Sequence, residues 1–196
     1  MKTEDHIGLY VHIPFCVRKC AYCDFLSFPA EKETQDSYVN ALCKQIDATS
    51  SQKPVASVYF GGGTPSVLSP ERTRRILCKL KKFRIISDAE ITLEVNPGTV
   101  GPVDLAAFKE MGFNRLSIGL QSANDPELKA LGRIHSFADF QRTYEEARKA
   151  GFANINVDLM TAIPGQTSDS LDRTLRTITS LAPEHISAYS LILEEG

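Results

Sequence analysis

Cys16, Cys20 and Cys23 stand in a C-x3-C-x2-C pattern, Cys-Val-Arg-Lys-Cys-Ala-Tyr-Cys. Thiols this close must share one loop, and thiolates are soft ligands able to converge on one metal centre. A structural zinc ion takes four protein ligands, and this loop offers three. A zinc site completed from elsewhere therefore stays open, as do unrelated structural or redox cysteines. A three-thiolate loop suits a [4Fe–4S] cluster with one iron left for a small ligand, because a cluster held wholly by protein uses four cysteines. Arg18 and Lys19 lie between the first two cysteines, where their charge would offset that of a thiolate-ligated cluster. Cys43 and Cys78 fall inside helical patterns, where a free thiol is by default a small buried apolar side chain.

Other chemistry-bearing residues follow strand-like runs. Gly61-Gly62-Gly63-Thr64-Pro65 permits positive φ and close approach of a ligand to the backbone, although a simple tight turn has the same appearance. In Glu90-Ile91-Thr92-Leu93-Glu94 alternation puts Glu94 on the face opposite Leu93. A carboxylate on an inward face needs a partner, either Arg115 or a cationic ligand. Gln121 ends a strand pattern, Asp158 falls near the end of another, and Arg133 follows Leu131-Gly132. Read alone, Asp158 could cap a neighbouring loop and Arg133 could be a surface cation at a helix end. Tyr10 and Tyr22 could be core residues with their hydroxyls satisfied. His12 shares the face of Tyr10; a lone strand histidine is more often a satisfied core residue than a ligand. No role is assigned to His135.

These residues need elements to hold them. Strand-type runs are expected at Leu9–Ile13, Ser57–Phe60, Ile91–Val95, Arg115–Leu120, Asn154–Leu159 and His185–Leu191. Amphipathic helix patterns are expected between them, at Thr34–Ala48, Pro70–Lys82, Val103–Met111, Phe137–Ala150 and Ser168–Leu181. Ser69-Pro70-Glu71 has the form of an N-cap followed by proline, and Gly112 and Gly151 stand where glycine closes a helix. The alternation implies an α/β fold with a parallel sheet and right-handed crossovers. Periodicity does not choose between a barrel and an open doubly wound sheet. In both, chemistry lies beyond the C-terminal ends of the strands, which is where these residues cluster.

With 196 residues, 42% hydrophobic and 23% charged, the chain fits one globular domain with its own core. A net charge of −2 points to no nucleic-acid partner, and the basic run Lys79–Arg84 reads as a solvated helix end. No stretch reaches the ~18 apolar residues of a membrane span, and no apolar signal segment precedes the first strand. A cytoplasmic location is the default expectation, and five cysteines fit a secreted disulfide framework poorly.

C-x3-C-x2-C after an N-terminal strand resembles the signature of the radical-SAM superfamily. Tyr10-Val11-His12-Ile13-Pro14-Phe15-Cys16 resembles one branch of it, the oxygen-independent coproporphyrinogen III oxidases and their relatives. The resemblance extends from Leu9 to Gly196. It implies a parallel-sheet partial (β/α)6 barrel, with residues 1–196 forming the core domain. The family's C-terminal domain is absent, and an ending directly after the sixth strand reads as truncation.

The resemblance also implies S-adenosyl-L-methionine bound to the open iron of the cluster, with one electron from the cluster able to cleave the sulfonium. By the same match Gly62, Gly63, Thr64 and Glu94 become cofactor contacts. Tyr10, Tyr22, Gln121, Arg133 and Asp158 match positions that touch S-adenosylmethionine or a second ligand beside it. No catalytic residue is assigned. The oxidase branch carries a further cysteine two residues beyond the third cluster ligand, where this chain has Phe25; that puts oxidase activity in doubt. Cys-Asp-Phe resembles instead a paralogous heme-chaperone branch, as do Glu94–Thr99, Gly132–His135, Asp158–Met160 and Ile163–Thr167. Ala162 departs from that branch, which more often has glycine there. Heme or a porphyrin is the implied further ligand and a heme-acceptor protein the implied partner.

Overall fold

The structure is a computed structural model and describes residues 5–192. Six strands, β1 (Ile7–Ile13), β2 (Val55–Gly62), β3 (Ile85–Val95), β4 (Arg115–Gln121), β5 (Asn154–Thr161) and β6 (His185–Ser190), pair in parallel in the order of the chain. Six α-helices lie between them: α1 (Lys32–Ala48), α2 (Pro70–Leu80), α3 (Pro102–Glu110), α4 (Asp125–Ala130), α5 (Phe137–Lys149) and α6 (Ser168–Ser180). A doubly wound sheet reverses its strand order at a switch point; this one runs β1 to β6 without reversal. The described strands thus form an open (β/α)6 partial barrel, which settles the choice that periodicity left open.

Strand side chains alternate between two faces, and here the faces differ in chemistry. One face carries Val58, Phe60, Leu93, Val95, Leu116, Ile118, Ile155 and Val157, which form a single core with Val39, Ile76, Leu105, Phe108, Phe140 and Ile178 of the helices. Phe60 and Phe108 both meet Phe113 edge-on, at 5.1 and 5.9 Å between centroids. Truncating such a buried ring to alanine costs about 3–5 kcal/mol. The opposite face is polar. Parallel register aligns Glu94, Ser117, Asn156 and His185 in one row, and Gly119, Asp158 and Ser187 in the next.

Local signals explain most helix ends. Ser69 accepts a hydrogen bond from Arg72 N at the start of α2, with proline at the first position. Ser136–Asp139 and Thr167–Ser170 are reciprocal capping boxes for α5 and α6. Gly112 and Gly151 close α3 and α5 at φ +105° and +89°. The largest departures from the sequence expectation are β3, which begins at Ile85 rather than Ile91, and α4, which lies where no helix was expected. Cys43 is buried as expected, whereas Cys78 is exposed on α2, because that face of α2 turns away from the core.

Candidate functional site

The cysteine loop leaves β1 through a closed neck. Cys16 N donates to Phe28 O (3.1 Å) and Phe28 N to Pro14 O (3.0 Å). The fully buried Phe15 packs edge-on against Phe28 and Tyr38 beneath it. The loop is also stitched to the end of β2, with Gly63 N donating to Ile13 O (2.8 Å) and Thr64 N to Phe15 O (2.7 Å). This contact explains Gly63: a Cβ there would lie 2.6 Å from Phe15 O and 3.0 Å from Cys16 Sγ. At Gly62, φ is +117° and a Cβ would meet the His12 ring at 2.6 Å. Crowding by the protein itself thus requires glycine at both positions.

All three thiols line a cleft of about 810 Å³ at the C-terminal ends of the strands. Each has a polar neighbour: Thr64 Oγ1 donates to Cys16 Sγ (3.6 Å), Arg133 Nη1 donates to Cys20 Sγ (3.5 Å), and Ser27 Oγ lies 4.0 Å from Cys23 Sγ. Among the described residues no three His, Cys, Asp or Glu side chains converge tightly enough to hold a single metal ion. A [4Fe–4S] cluster takes one thiolate per iron and is tuned by hydrogen bonds to its sulfurs, so three separated thiols on an open cleft, those of Cys16 and Cys20 facing donors, fit such a group. Positive charge beside them comes from Arg133 as well as from Arg18 of the loop itself. Arg18 donates to Gly132 O (2.6 Å) and Lys19 to Phe25 O (3.3 Å), while among the described residues Arg133 is the cation hydrogen-bonded to a sulfur.

Arg133 reaches the cleft because of how α4 ends. Gly132 at φ +71° turns the chain, with Gly132 N bonded to Lys129 O and Arg133 N to Leu128 O, a Schellman closure. The guanidinium then donates to Asn96 Oδ1 (2.7 Å) and Gly119 O (2.6 Å). Its Nε is buried without a hydrogen-bond partner among the described residues. A buried donor left over in this way is costly unless a ligand satisfies it.

Two carboxylates face the same space. Glu94 accepts from Tyr59 OH (2.7 Å) and Gly62 N (3.2 Å); burial raises its pKa, with Asp158 adding to the effect. Arg115, the partner considered from sequence, lies instead 3.8 Å from Glu90, one register row below. Asp158 accepts from Asn156 Nδ2 (2.7 Å) and Ser117 Oγ (3.2 Å), and burial raises its pKa too. Gln121 ends β4 at φ +77° and accepts from Tyr189 OH (2.7 Å). Tyr22 is half-buried in the cleft, and its phenol is pushed up to about 12, chiefly by burial.

The structure brings Cys16, Cys20, Cys23, Tyr22, Gly62, Gly63, Thr64, Glu94, Gln121, Arg133 and Asp158 around one cleft. Tyr10 is set apart: it is 61% exposed, stacks on Tyr59 at 6.1 Å, and its hydroxyl lies 3.2 Å from His12 Nδ1. The other ring nitrogen of His12 pairs with Leu26 O (3.1 Å), so His12 is the satisfied residue expected. Sequence reasoning missed Tyr59, Asn96, Ser117, Asn156 and Tyr189, which hold the cleft's charged and amide groups in place. Asn96 and Ser117 sit next to residues already singled out; the strand alternation would have put Tyr59, Ser117 and Asn156 on the polar face.

Comparison with known proteins gives a consistent result. The family described as the Radical SAM superfamily matches residues 10–178. The chain is 39% identical over 190 residues to the heme chaperone HemW of Bacillus subtilis (strain 168), covering 94% of this chain and 50% of that protein. It is 40% identical over 193 residues to the mitochondrial radical S-adenosyl methionine domain-containing protein 1 of Danio rerio, covering 96% and 44%. The chain thus spans about half the length of the curated relatives it matches. Among solved structures it resembles coproporphyrinogen III oxidase (HemN) from Escherichia coli, with TM-score 0.89 and 31% identity over 96% of this chain and 45% of that one. A methylornithine synthase (PylB) structure shares the fold at TM-score 0.65 and 15% identity, covering 97% and 56%.

Proposed function

The chain belongs to the radical SAM superfamily, and from that membership we propose that it is the cofactor-binding core of a heme chaperone. Cys16, Cys20 and Cys23 hold a [4Fe–4S] cluster, and S-adenosylmethionine binds in the cleft beside it. The observation that carries this reading is the gathering of the three thiols, Glu94, Arg133 and Asp158 around one cleft. When bound, the cluster supplies an open iron for the amino and carboxylate groups of S-adenosylmethionine and an electron for reductive cleavage of its sulfonium.

The chain's own residues bind and orient. Glu94, fixed by Tyr59 and Gly62 N, presents a carboxylate that would accept from the N–H of the cofactor's amino group. Arg133, with Nε unsatisfied, presents a donor for an anionic oxygen. Asp158, held by Ser117 of β4 and by Asn156 of its own strand, and Gln121, held by Tyr189 of β6, offer acceptors for hydroxyls or a second cationic ligand.

The whole protein would bind heme and pass it to an acceptor protein in the cytoplasm. The HemW names of the relatives support this, as does Phe25, which stands exposed at the rim of the cleft where the oxidase pattern has a thiol. No helix among the described residues is long and apolar enough to cross a membrane. A second reading, oxidative decarboxylation of coproporphyrinogen III to protoporphyrinogen IX, is favoured by the 31% identity to the E. coli oxidase structure. One assay separates them: anaerobically reconstituted protein is given coproporphyrinogen III, S-adenosylmethionine and a reductant, and heme binding is titrated in parallel. Heme binding without turnover supports the chaperone, and robust protoporphyrinogen formation overturns it.

A further inference from the structure

A run of side-chain hydrogen bonds crosses the cleft and joins two of the cysteine sulfurs. Arg133 Nη1 donates to Cys20 Sγ (3.5 Å), and Nη2 donates to Asn96 Oδ1 (2.7 Å). Asn96 Nδ2 donates to Thr64 Oγ1 (2.7 Å), whose hydroxyl donates to Cys16 Sγ (3.6 Å). The direction of the run is forced. Arginine has no acceptor, so the amide oxygen of Asn96 must face it and the amide nitrogen must face Thr64. With that N–H on its oxygen, the Thr64 hydroxyl keeps its own proton for sulfur. Both ends of the run are therefore donors aimed at thiols, and Asn96 sets the sense of each.

The position of Asn96 is built rather than incidental. It directly follows β3, and its carbonyl accepts from Thr99 N (3.2 Å) and Thr99 Oγ1 (2.7 Å), a turn that fixes the backbone. Across from it, Gly119 leaves room: a Cβ there would lie 3.1 Å from Asn96 Oδ1 and 3.3 Å from Arg133 Nη2. An amide is the group that accepts from a cation and donates to a hydroxyl at once; neither a carboxylate nor an apolar side chain does both.

We propose that Asn96 is a positioning residue that orients the Thr64 and Arg133 donors toward the sulfurs of Cys16 and Cys20 and thereby sets the reduction potential of the cluster they hold. The inference rests on the cluster reading above. Hydrogen bonds to thiolate sulfur stabilise the more negative, reduced cluster, so misdirecting the donors moves the potential to more negative values.

The test compares wild type with Asn96→Leu, Thr64→Val and the double variant, each reconstituted anaerobically. Iron and acid-labile sulfide are measured first, then the potential by redox titration followed by electron paramagnetic resonance. The expected result is wild-type cluster content, a more negative potential in each single variant, and a double variant whose shift is smaller than the sum of the singles. Wild-type potential in a fully loaded Asn96→Leu protein, or strictly additive shifts, overturns the proposal. Where Asn96→Leu loads no cluster, Asn96→Ala decides: it removes both side-chain hydrogen bonds without adding bulk or charge. A more negative potential in it supports the proposal, and an unchanged one overturns it. Wild-type protein that holds no iron and sulfide refutes the cluster reading itself, which is a separate outcome.

Discussion

Replacing Gly63 by alanine tests whether the end of β2 is the seat of the cysteine loop. The added methyl would stand 2.6 Å from Phe15 O and 3.0 Å from Cys16 Sγ, and the nearer obstacle is backbone that cannot rotate aside. Relief requires the loop and the strand end to part, loosening the Gly63 N–Ile13 O and Thr64 N–Phe15 O bonds at 2.8 and 2.7 Å. Overpacking costs about 1–3 kcal/mol, and two backbone hydrogen bonds contribute about 1 kcal/mol each. The expected loss is therefore about 3–5 kcal/mol in urea unfolding of the apo protein followed by circular dichroism. Gly112→Ala is the comparator: its Cβ meets nothing within 4 Å, but φ is +105°, so it suffers backbone strain alone, about 1–2 kcal/mol. Gly112→Ala is expected to take up iron and sulfide normally and Gly63→Ala to take up little. A Gly63→Ala protein within ~1 kcal/mol of wild type and fully loaded would refute the reasoning.

Three further outcomes are expected. Tyr59→Phe removes a donor that lowers the Glu94 pKa, so that pKa rises further and S-adenosylmethionine binding, read by equilibrium dialysis of the reconstituted protein, weakens several-fold; binding strengthens as pH rises through the Glu94 pKa and is lost as pH falls below it, and Glu94→Gln abolishes this dependence. The His135 imidazole is pushed down to about 4, chiefly by burial, whereas an unfolded histidine titrates near 6.5. Below about 6.5 the unfolded chain gains a proton that the folded one does not, so urea stability falls between pH 6.5 and about 4, less steeply in His135→Gln. Ala162 holds φ +60°, a conformation that costs a non-glycine residue about 1–2 kcal/mol; after the entropic cost of glycine, Ala162→Gly is expected to stabilise by about 0.5–1 kcal/mol in thermal unfolding.

How much of this was legible in the sequence depended on which face a residue occupies. The helix-facing halves of the strands are continuous or alternating apolar runs, so their order and the parallel sheet followed from pattern. Ser69, Gly112 and Gly151 announced helix ends through local backbone chemistry. The first half of β3 did not read as strand, because Ser87 and Asp88 interrupt it and its pairing with β2 is bulged between Val55 and Ser57. α4 has only six residues and a proline among its first two, too short for periodicity to register. In the site, close spacing made the cysteines legible, and a resemblance made Arg133 and Asp158 so. The supporting contacts, Asn96 on Arg133 or Tyr189 on Gln121, join residues far apart in the chain, which spacing does not encode. Arg18, near the cysteines in sequence, lines the same cleft with its guanidinium on Gly132 O, whereas the contact of Arg133 with Cys20 Sγ joins residues 113 positions apart.

The central claim is that Cys16, Cys20 and Cys23 hold a cluster with one iron open to S-adenosylmethionine. Iron and sulfide analysis of anaerobic protein, joined to electron paramagnetic resonance of the reduced form with and without S-adenosylmethionine, tests it most directly. About four irons and four sulfides per chain are expected, with a reduced-cluster signal that changes when S-adenosylmethionine is added and loss of both in a Cys16→Ala/Cys20→Ala/Cys23→Ala protein. One equivalent of zinc with no sulfide, or a cluster whose signal S-adenosylmethionine leaves untouched, would contradict it.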